Sequence, residues 1–286
     1  MKLQFLAEKT HSILPLLQCP LCAEPFSLND SHSLICAHKH CYDLSRRGYI
    51  NLAPDHDQQA DKYSAALFEC RQAVFQAGFY DPVMQAIGDA IRTFFPAGHP
   101  LAILDAGCGE GSYCHYLSRF FPQADIIGLD INRDAMIAAA KQATHAHWLV
   151  GNLSRLPIRN EGLHVLLDVL TPADYREFSR VLQPEGILLK VIPGKDYLRE
   201  VRDCVRQDLH SGDYENDRVF SHLQKHAHVL EQKTLYHTYP VTPAQAALFA
   251  RMTPMTLGLP PESLESISFS TITIHLELAI CRMLPQ

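Results

Sequence analysis

No run of this chain approaches the roughly 18 consecutive apolar residues of a membrane span, so nothing in it reads as a transmembrane helix. The opening MKLQFLAEKTHSILPLLQ is broken by Glu8 and Lys9 and lacks a small-residue cleavage site, which argues against an export signal. A basic excess is missing as well: 25 Lys and Arg stand against 31 Asp and Glu, for a formal net charge of −6. Proteins that hold nucleic acid mainly by neutralising phosphates carry the opposite sign. Any such role must therefore rest on a local basic patch. Internal repeats and low-complexity tracts are absent too.

What is present is ordinary globular composition, 47% apolar and 20% charged, in 286 residues. That length suits one large domain with a small module attached. The nine cysteines are an odd number, and Cys19, Cys22, Cys36 and Cys41 crowd one short window. A disulfide framework is thereby disfavoured, and a reducing cytoplasm is the expected setting.

Three zones follow from the pattern. Residues 1–56 are rich in Cys and His, with apolar pieces too short to form a core unaided. Residues 57–85 start polar and then turn helical, with Phe68, Val74, Phe75 and Phe79 on one face, as a linker and docking helix would be. Residues 86–286 alternate strand and helix, with strands expected at 101–107, 124–131, 147–152, 164–170 and 187–193. Helices are expected between them at 134–143 and 174–182, and such alternation builds a mostly parallel sheet covered on both faces. Two long β-rich segments, 228–241 and 268–282, flank a helical stretch at 244–252 and are expected to close the sheet.

Cys19 and Cys22 form a CPLC knuckle, and Cys36-Ala-His-Lys-His40 begins 14 residues after Cys22. Zinc takes four soft or borderline ligands in a tetrahedron, and CxxC supplies two thiolates from one tight turn. Cys36 and His40 are spaced to supply the second pair, with His38 and Cys41 as stand-ins for the fourth ligand. Four protein ligands close the coordination shell, which points to a role in structure or recognition rather than catalysis.

LDAGCGEG, residues 104–111, ends one expected strand and opens a helix. Its glycines allow a tight turn and close approach of a ligand to the backbone. Asp130 ends the next strand, 21 residues after Gly109, where an acid can bond both hydroxyls of a ribose. Gly107, Gly109 and Gly111 give G-x-G-x-G rather than the dinucleotide spacing G-x-G-x-x-G. With Asp105 before it, the turn resembles motif I of class I methyltransferases. GNLSRLP, residues 151–157, resembles the adenine-holding loop of that fold, with Asn152 in the polar position and Leu153 beside it.

Nearly the whole chain after residue 18 further resembles one family, the RlmA-type 23S rRNA (guanine-N1)-methyltransferases. CPLC, RRGYINLAP (46–54), CRQAVFQAGFYDPV (70–83), LDAGCGEG, GLDIN, IPGKDYL (192–198) and RMTP (251–254) carry the resemblance. It implies a Rossmann-like α/β class I methyltransferase fold with a small N-terminal zinc-binding domain. It implies S-adenosylmethionine and zinc as cofactors, a 23S rRNA stem-loop as partner and a homodimer as the assembly. Residue by residue, Cys19, Cys22, Cys36 and His40 would hold the zinc, and Asp105, Gly107, Gly109, Asp130, Asn152 and Leu153 the S-adenosylmethionine. Asp168, at the end of the fourth strand, is the candidate proton acceptor for guanine N1, with Thr171 and Pro172 shaping the loop around the base. Lys39, Arg46 and Arg47 are the candidate phosphate contacts. Departures fall in the linker, where 55–64 lacks the family's basic run. The rival readings are a methyltransferase for another RNA or a small molecule, and a non-catalytic paralogue that keeps both folds.

Overall fold

A computed structural model describes residues 2–30, 32–55, 63–205 and 216–285. Residues 56–62, the end of the expected zinc module and the start of the expected linker, lie outside the described residues. In chain order the elements are α1 (Lys2–Ile13), β1 (Phe26–Leu28), β2 (Ser33–Cys36), β3 (Cys41–Asp43), β4 (Ile50–Asn51), α2 (Ala65–Gln76), α3 (Asp81–Phe94) and β5 (Ala102–Ala106). Then come α4 (Ser112–Phe120), β6 (Asp125–Asp130), α5 (Arg133–Ala139), β7 (His147–Val150), β8 (Leu163–Val169), α6 (Tyr175–Val181) and β9 (Leu182–Pro193). The chain finishes with α7 (Arg199–Cys204), α8 (Asn216–Gln224), β10 (Ala227–Pro240), α9 (Pro243–Met252), α10 (Pro261–Ser266) and β11 (Thr271–Met283).

The main sheet has eight strands in the order β10-β11-β9-β8-β5-β6-β7-β4. From β9 to β4 the pairings are parallel, and the β10-β11-β9 side is antiparallel. Every residue of β5 is buried, as a strand covered on both faces must be. Alternate side chains serve two different cores. Ile103, Val165, Leu167, Leu189 and Val191 face Phe68, Ile87, Leu117 and Met136 on one side. Leu104, Leu166 and Leu188 face Ile13, Leu34, Leu44 and Phe178 on the other.

The second core ties the N-terminal zone to the sheet. β1, β2 and β3 form a small antiparallel sheet whose buried Leu34 and Tyr42 belong to the same apolar cluster as Leu104 and Leu129. β4 goes further: Ile50 and Asn51 pair in parallel with Leu149 and Val150, so the strand caps the edge of the main sheet. An unpaired edge would expose a row of backbone donors and acceptors. The two-residue β4 covers that edge with chain from the Cys-rich zone.

The helix expected on Phe68, Val74, Phe75 and Phe79 is α2 with its following turn. Phe68, Val74 and Phe79 are buried, and Phe75 packs half-buried against them. Its Phe68 and Arg71 approach the position of a Cβ on Gly109 to 3.9 and 3.4 Å, which places α2 above the strand ends where an open α/β sheet binds its ligand.

Candidate functional site

Two knuckles build the metal site. After Cys19 the chain turns on Ala23, which has φ 62° and whose N–H donates to the Cys19 carbonyl at 2.8 Å. After Cys36 it turns on Lys39, with φ 64° and an N–H donated to the Cys36 carbonyl at 2.9 Å. These turns bring the donor atoms of Cys19, Cys22, Cys36 and His40 within 4.8 Å of one another. His40 Nδ1 lies 3.4 Å from Sγ of both Cys19 and Cys36, and the Sγ atoms of Cys22 and Cys36 are 3.7 Å apart. A tetrahedron with zinc–sulfur bonds of about 2.3 Å has an S···S edge of about 3.8 Å, so the donor set fits zinc. The stand-ins point elsewhere: His38 and Cys41 are exposed and outside the cluster. Buried Tyr42 brings its hydroxyl to 3.8 Å from Cys19 Sγ, where its O–H can donate to the thiolate and steady it as a ligand.

The cofactor crevice opens at the C-terminal ends of β5, β6, β7 and β8. Gly107, Gly109 and Gly111 all have positive φ, at 79°, 55° and 82°. A Cβ on Gly107 would sit 2.4 Å from Thr171 Oγ1, and one on Gly111 would sit 2.5 Å from the Trp148 ring. The first glycine therefore admits the loop after β8, and the third admits an indole. Gly109 differs. Its nearest neighbour would be Arg71 Nη1 at 3.4 Å, so its backbone stays open toward the crevice under α2.

Asp130 closes the turn from the side. Its Oδ2 accepts from the Gly109 N–H at 2.9 Å and its Oδ1 from the Asn132 N–H at 2.9 Å. Asn132 in turn donates through Nδ2 to the carbonyl of Tyr63 at 3.0 Å, which brings the described end of the linker over the crevice. Asn152 is exposed at the end of β7 and caps the following turn by accepting from the Ser154 N–H at 2.9 Å. Leu153 beside it is half-buried.

Beneath the glycine turn lies a group of polar side chains short of partners. Asp105 is only 1% exposed, and the thiol of Cys114, 3.6 Å away, is a weak donor to it. Burial pushes its carboxyl up to about 8. Glu110 is buried with Oε1 unpartnered; burial raises its pKa while the charge of Arg71 pulls it back. The Tyr113 hydroxyl is also without a partner, whereas those of Tyr80 and Tyr197 meet at 2.7 Å. Arg71 spans the crevice from α2, donating through Nη2 to the Met252 carbonyl at 3.1 Å. An unpartnered carboxylate oxygen of Glu110 under the charge of Arg71, with the buried carboxyl of Asp105 close by, suits the zwitterionic end of an amino acid, the group that S-adenosylmethionine presents beside its ribose.

Asp168 is wholly buried. Its Oδ2 accepts from Lys190 Nζ at 2.6 Å, and its Oδ1 has no partner. The two residues are cross-strand neighbours on β8 and β9, and Lys190 also donates to the Thr171 carbonyl at 3.0 Å. Burial pushes the Asp168 carboxyl up to about 6 against the pull of Lys190. The pair thus holds the 170–172 loop, where Leu170 takes φ 56°, against Gly107.

The family described as "RlmA, N-terminal" matches residues 17–60, and a "Methyltransferase domain" matches residues 103–186. YxjB of Bacillus subtilis (strain 168), which bears a 23S rRNA (guanine-N(1)-)-methyltransferase name, is 31% identical over 275 residues, covering 93% of this chain and 96% of that one. The chain belongs to this methyltransferase family. A 23S rRNA (guanine(748)-N(1))-methyltransferase of Streptomyces fradiae is 27% identical over 96% of this chain and 99% of its own length. A Micromonospora griseorubida relative with a 23S rRNA (guanine-N(1)-)-methyltransferase name is 30% identical over 88% of this chain and 90% of its own.

This 23S rRNA (guanine-N1)-methyltransferase family member is a methyltransferase that uses S-adenosylmethionine and carries a zinc ribbon. No described helix is long and apolar enough to cross a membrane. Sequence reasoning missed Arg71, Glu110, Tyr80, Tyr197 and Lys190 as site residues. CRQAVF, RMTP and IPGKDYL marked the family without revealing that Arg71 joins Met252, or that Tyr80 joins Tyr197. Three tyrosines nearby are packed against neighbours: Tyr113 is buried, Tyr116 stacks on Phe120 at 4.4 Å and Tyr175 on His226 at 5.0 Å.

Proposed function

We propose that this enzyme methylates N1 of an unpaired guanine in a stem-loop of 23S rRNA. One observation carries the reading: a Cys3His site and a motif I crevice share a core in one chain, and three relatives that match along nearly its whole length bear 23S rRNA guanine-N1 names. Guanine N1 lies on the Watson–Crick edge, so the base must be unpaired or flipped out before it can react. The net charge of −6 leaves phosphate contact to local cations. Lys39, Arg46 and Arg47 of the zinc ribbon are all exposed for that task.

S-adenosylmethionine supplies an electrophilic methyl on a sulfonium. The protein's part is to hold both partners in line and to exclude water. In this reading Gly107 and Gly109 shape the turn under the cofactor, and Asp130, anchored on two backbone N–H groups, bonds its ribose. Asn152 and Leu153 flank its adenine. Asp105 and Glu110 face its ammonium, and Arg71 its carboxylate. Asp168 has no exposed surface, so it acts as a positioning residue: with Lys190 it fixes Thr171 at the mouth of the crevice.

The test is rRNA from a strain lacking this gene. Methyl at N1 blocks base pairing, so reverse transcriptase stops at that guanine in wild-type rRNA. The deletion should remove one such stop, and the purified enzyme should restore it on unmodified rRNA. Stops that all persist in the deletion, with no transfer to rRNA by the enzyme, would overturn the assignment.

A further inference from the structure

An open cavity of about 600 Å³ lies beside Trp148, near the start of β7, whereas the crevice opens at the strand's other end. It is bordered by α1, the turn that precedes β4 and the end of α5, and Phe5, Lys9, Arg46, Arg47, Ala140 and Trp148 are among its lining. Three cations line it and no acid does, in a chain whose net charge is −6. Cavities of this size with apolar walls and a few placed charges are the usual form of a small-ligand or nucleobase site.

The parts are held in place. Lys9 donates to the carbonyls of Thr144 and Ala146, which fastens α1 to the lead-in of β7. Phe5 lies one turn earlier on the same face of α1 and is 68% exposed, so its ring stands at the mouth. Arg46 and Arg47 occupy a closed turn in which the Gly48 N–H donates to the Ser45 carbonyl at 2.9 Å and the Arg47 N–H to Ser45 Oγ at 3.2 Å. Gly48 has φ 97°, and a Cβ there would lie 3.2 Å from that of Ala140, so the turn fits closely against α5.

An exposed aromatic face beside paired arginines is the arrangement that binds single-stranded nucleic acid: the base stacks and the phosphates meet the guanidinium groups. We propose that this cavity is a second RNA subsite that takes an unpaired nucleotide near the target guanine, its base on Phe5 and its phosphates on Arg46 and Arg47. The proposal rests on the rRNA reading above. It adds a place, away from the crevice, where the substrate is gripped.

Binding of unmodified 23S rRNA to the full-length, zinc-loaded protein tests it. Phe5→Ala and the cavity-filling Ala143→Trp, at an exposed lining position, should each weaken binding about tenfold, as loss of one base stack does. Arg46→Gln with Arg47→Gln should weaken it too and lower the slope of log K against log salt by about 1.4, two single-strand phosphates at about 0.7 each. S-adenosylmethionine affinity should stay as in the wild type for all variants, which shows that each is folded. If only the arginine variant weakens binding, the surface is charged without a base pocket and the proposal is overturned. If the wild type binds no rRNA at all, the functional reading fails first and takes this inference with it.

Discussion

Lys190 Nζ lies 2.6 Å from Asp168 Oδ2 with both side chains buried, and the same ammonium holds the Thr171 carbonyl at 3.0 Å. A buried ion pair broken on one side leaves a charge without compensation, which typically destabilises by about 3–5 kcal/mol. Lys190→Met should fall in that range, and Lys190→Met with Asp168→Leu should recover part of it. Chemical denaturation of the two variants measures both. A single variant as stable as the wild type would show that the pair is not buried as described.

The same pair separates two roles for Asp168. A proton acceptor with a pKa near 6 would put an acid limb in the pH–rate profile. Asp168→Asn would abolish that limb. A residue that only positions the 170–172 loop gives a variant with lower kcat across the whole range and an unshifted profile. We expect the second outcome, because the carboxylate has no exposed surface. Disappearance of the limb would return Asp168 to the chemistry.

The zinc ribbon should not melt alone. Its β4 pairs with β7, and its Leu34 and Leu44 share a core with Leu104. Zinc binding to such small sites is worth about 10–16 kcal/mol. Cys36→Ser, or removal of the metal by chelation, should therefore lower the thermal midpoint of the entire protein as seen by Trp148 fluorescence. Purified, reduced protein should hold one zinc per chain by metal analysis. Protein without zinc, or a midpoint indifferent to chelation, would contradict this.

Short-range features were legible in the sequence, and long-range ones were not. The CPLC knuckle and Cys36–His40 needed only local spacing, as did the turn from Asp105 to Gly111, and the structure groups the four metal donors that spacing selected. Strand β5 is a buried apolar run, and the segments expected at 101–107 and 124–131 differ from β5 and β6 by about a residue at each end. β4 has only two residues, too few for any periodicity to reveal, and its partner strand lies about a hundred residues further on. Lys190 sits in a strand that reads as apolar, so its pairing with Asp168 depended on a register that sequence does not give. Arg71 was visible as part of a motif, but its contact with Met252 spans 181 residues.

Asp105 makes stability depend on pH. Its carboxyl is raised from its ordinary 3.8 to about 8 by burial. A raised folded-state pKa contributes stability that is fully present below about 4 and is lost as pH rises through about 8. The cofactor-free protein should thus become less stable between pH 5 and about 8, and Asp105→Asn should flatten that slope. If the cofactor's ammonium meets this carboxylate, binding at neutral pH should release a proton. Calorimetry in buffers of different ionisation enthalpy reads that release, and identical heats in all buffers would mean that Asp105 is already ionised.

Two ligands can separate the two ends of the cofactor crevice. S-adenosylmethionine carries both a ribose and an amino-acid tail, whereas 5′-methylthioadenosine keeps the ribose and lacks the tail. Asp130, held by the N–H groups of Gly109 and Asn132, is assigned to the ribose and should matter for both. Asp130→Ala is expected to weaken each by about 1.5–3 kcal/mol, the range for hydrogen bonds to a charged group. Arg71, which hangs over Gly109 from α2, is assigned to the carboxylate of the tail. Arg71→Gln should weaken S-adenosylmethionine by a similar amount, about 1.5–3 kcal/mol, and leave methylthioadenosine unchanged. A purely structural Arg71, acting through its bond to Met252, would depress both ligands together. Equal losses would therefore remove Arg71 from cofactor recognition while leaving Asp130 in place, because each variant is judged against its own pair of ligands.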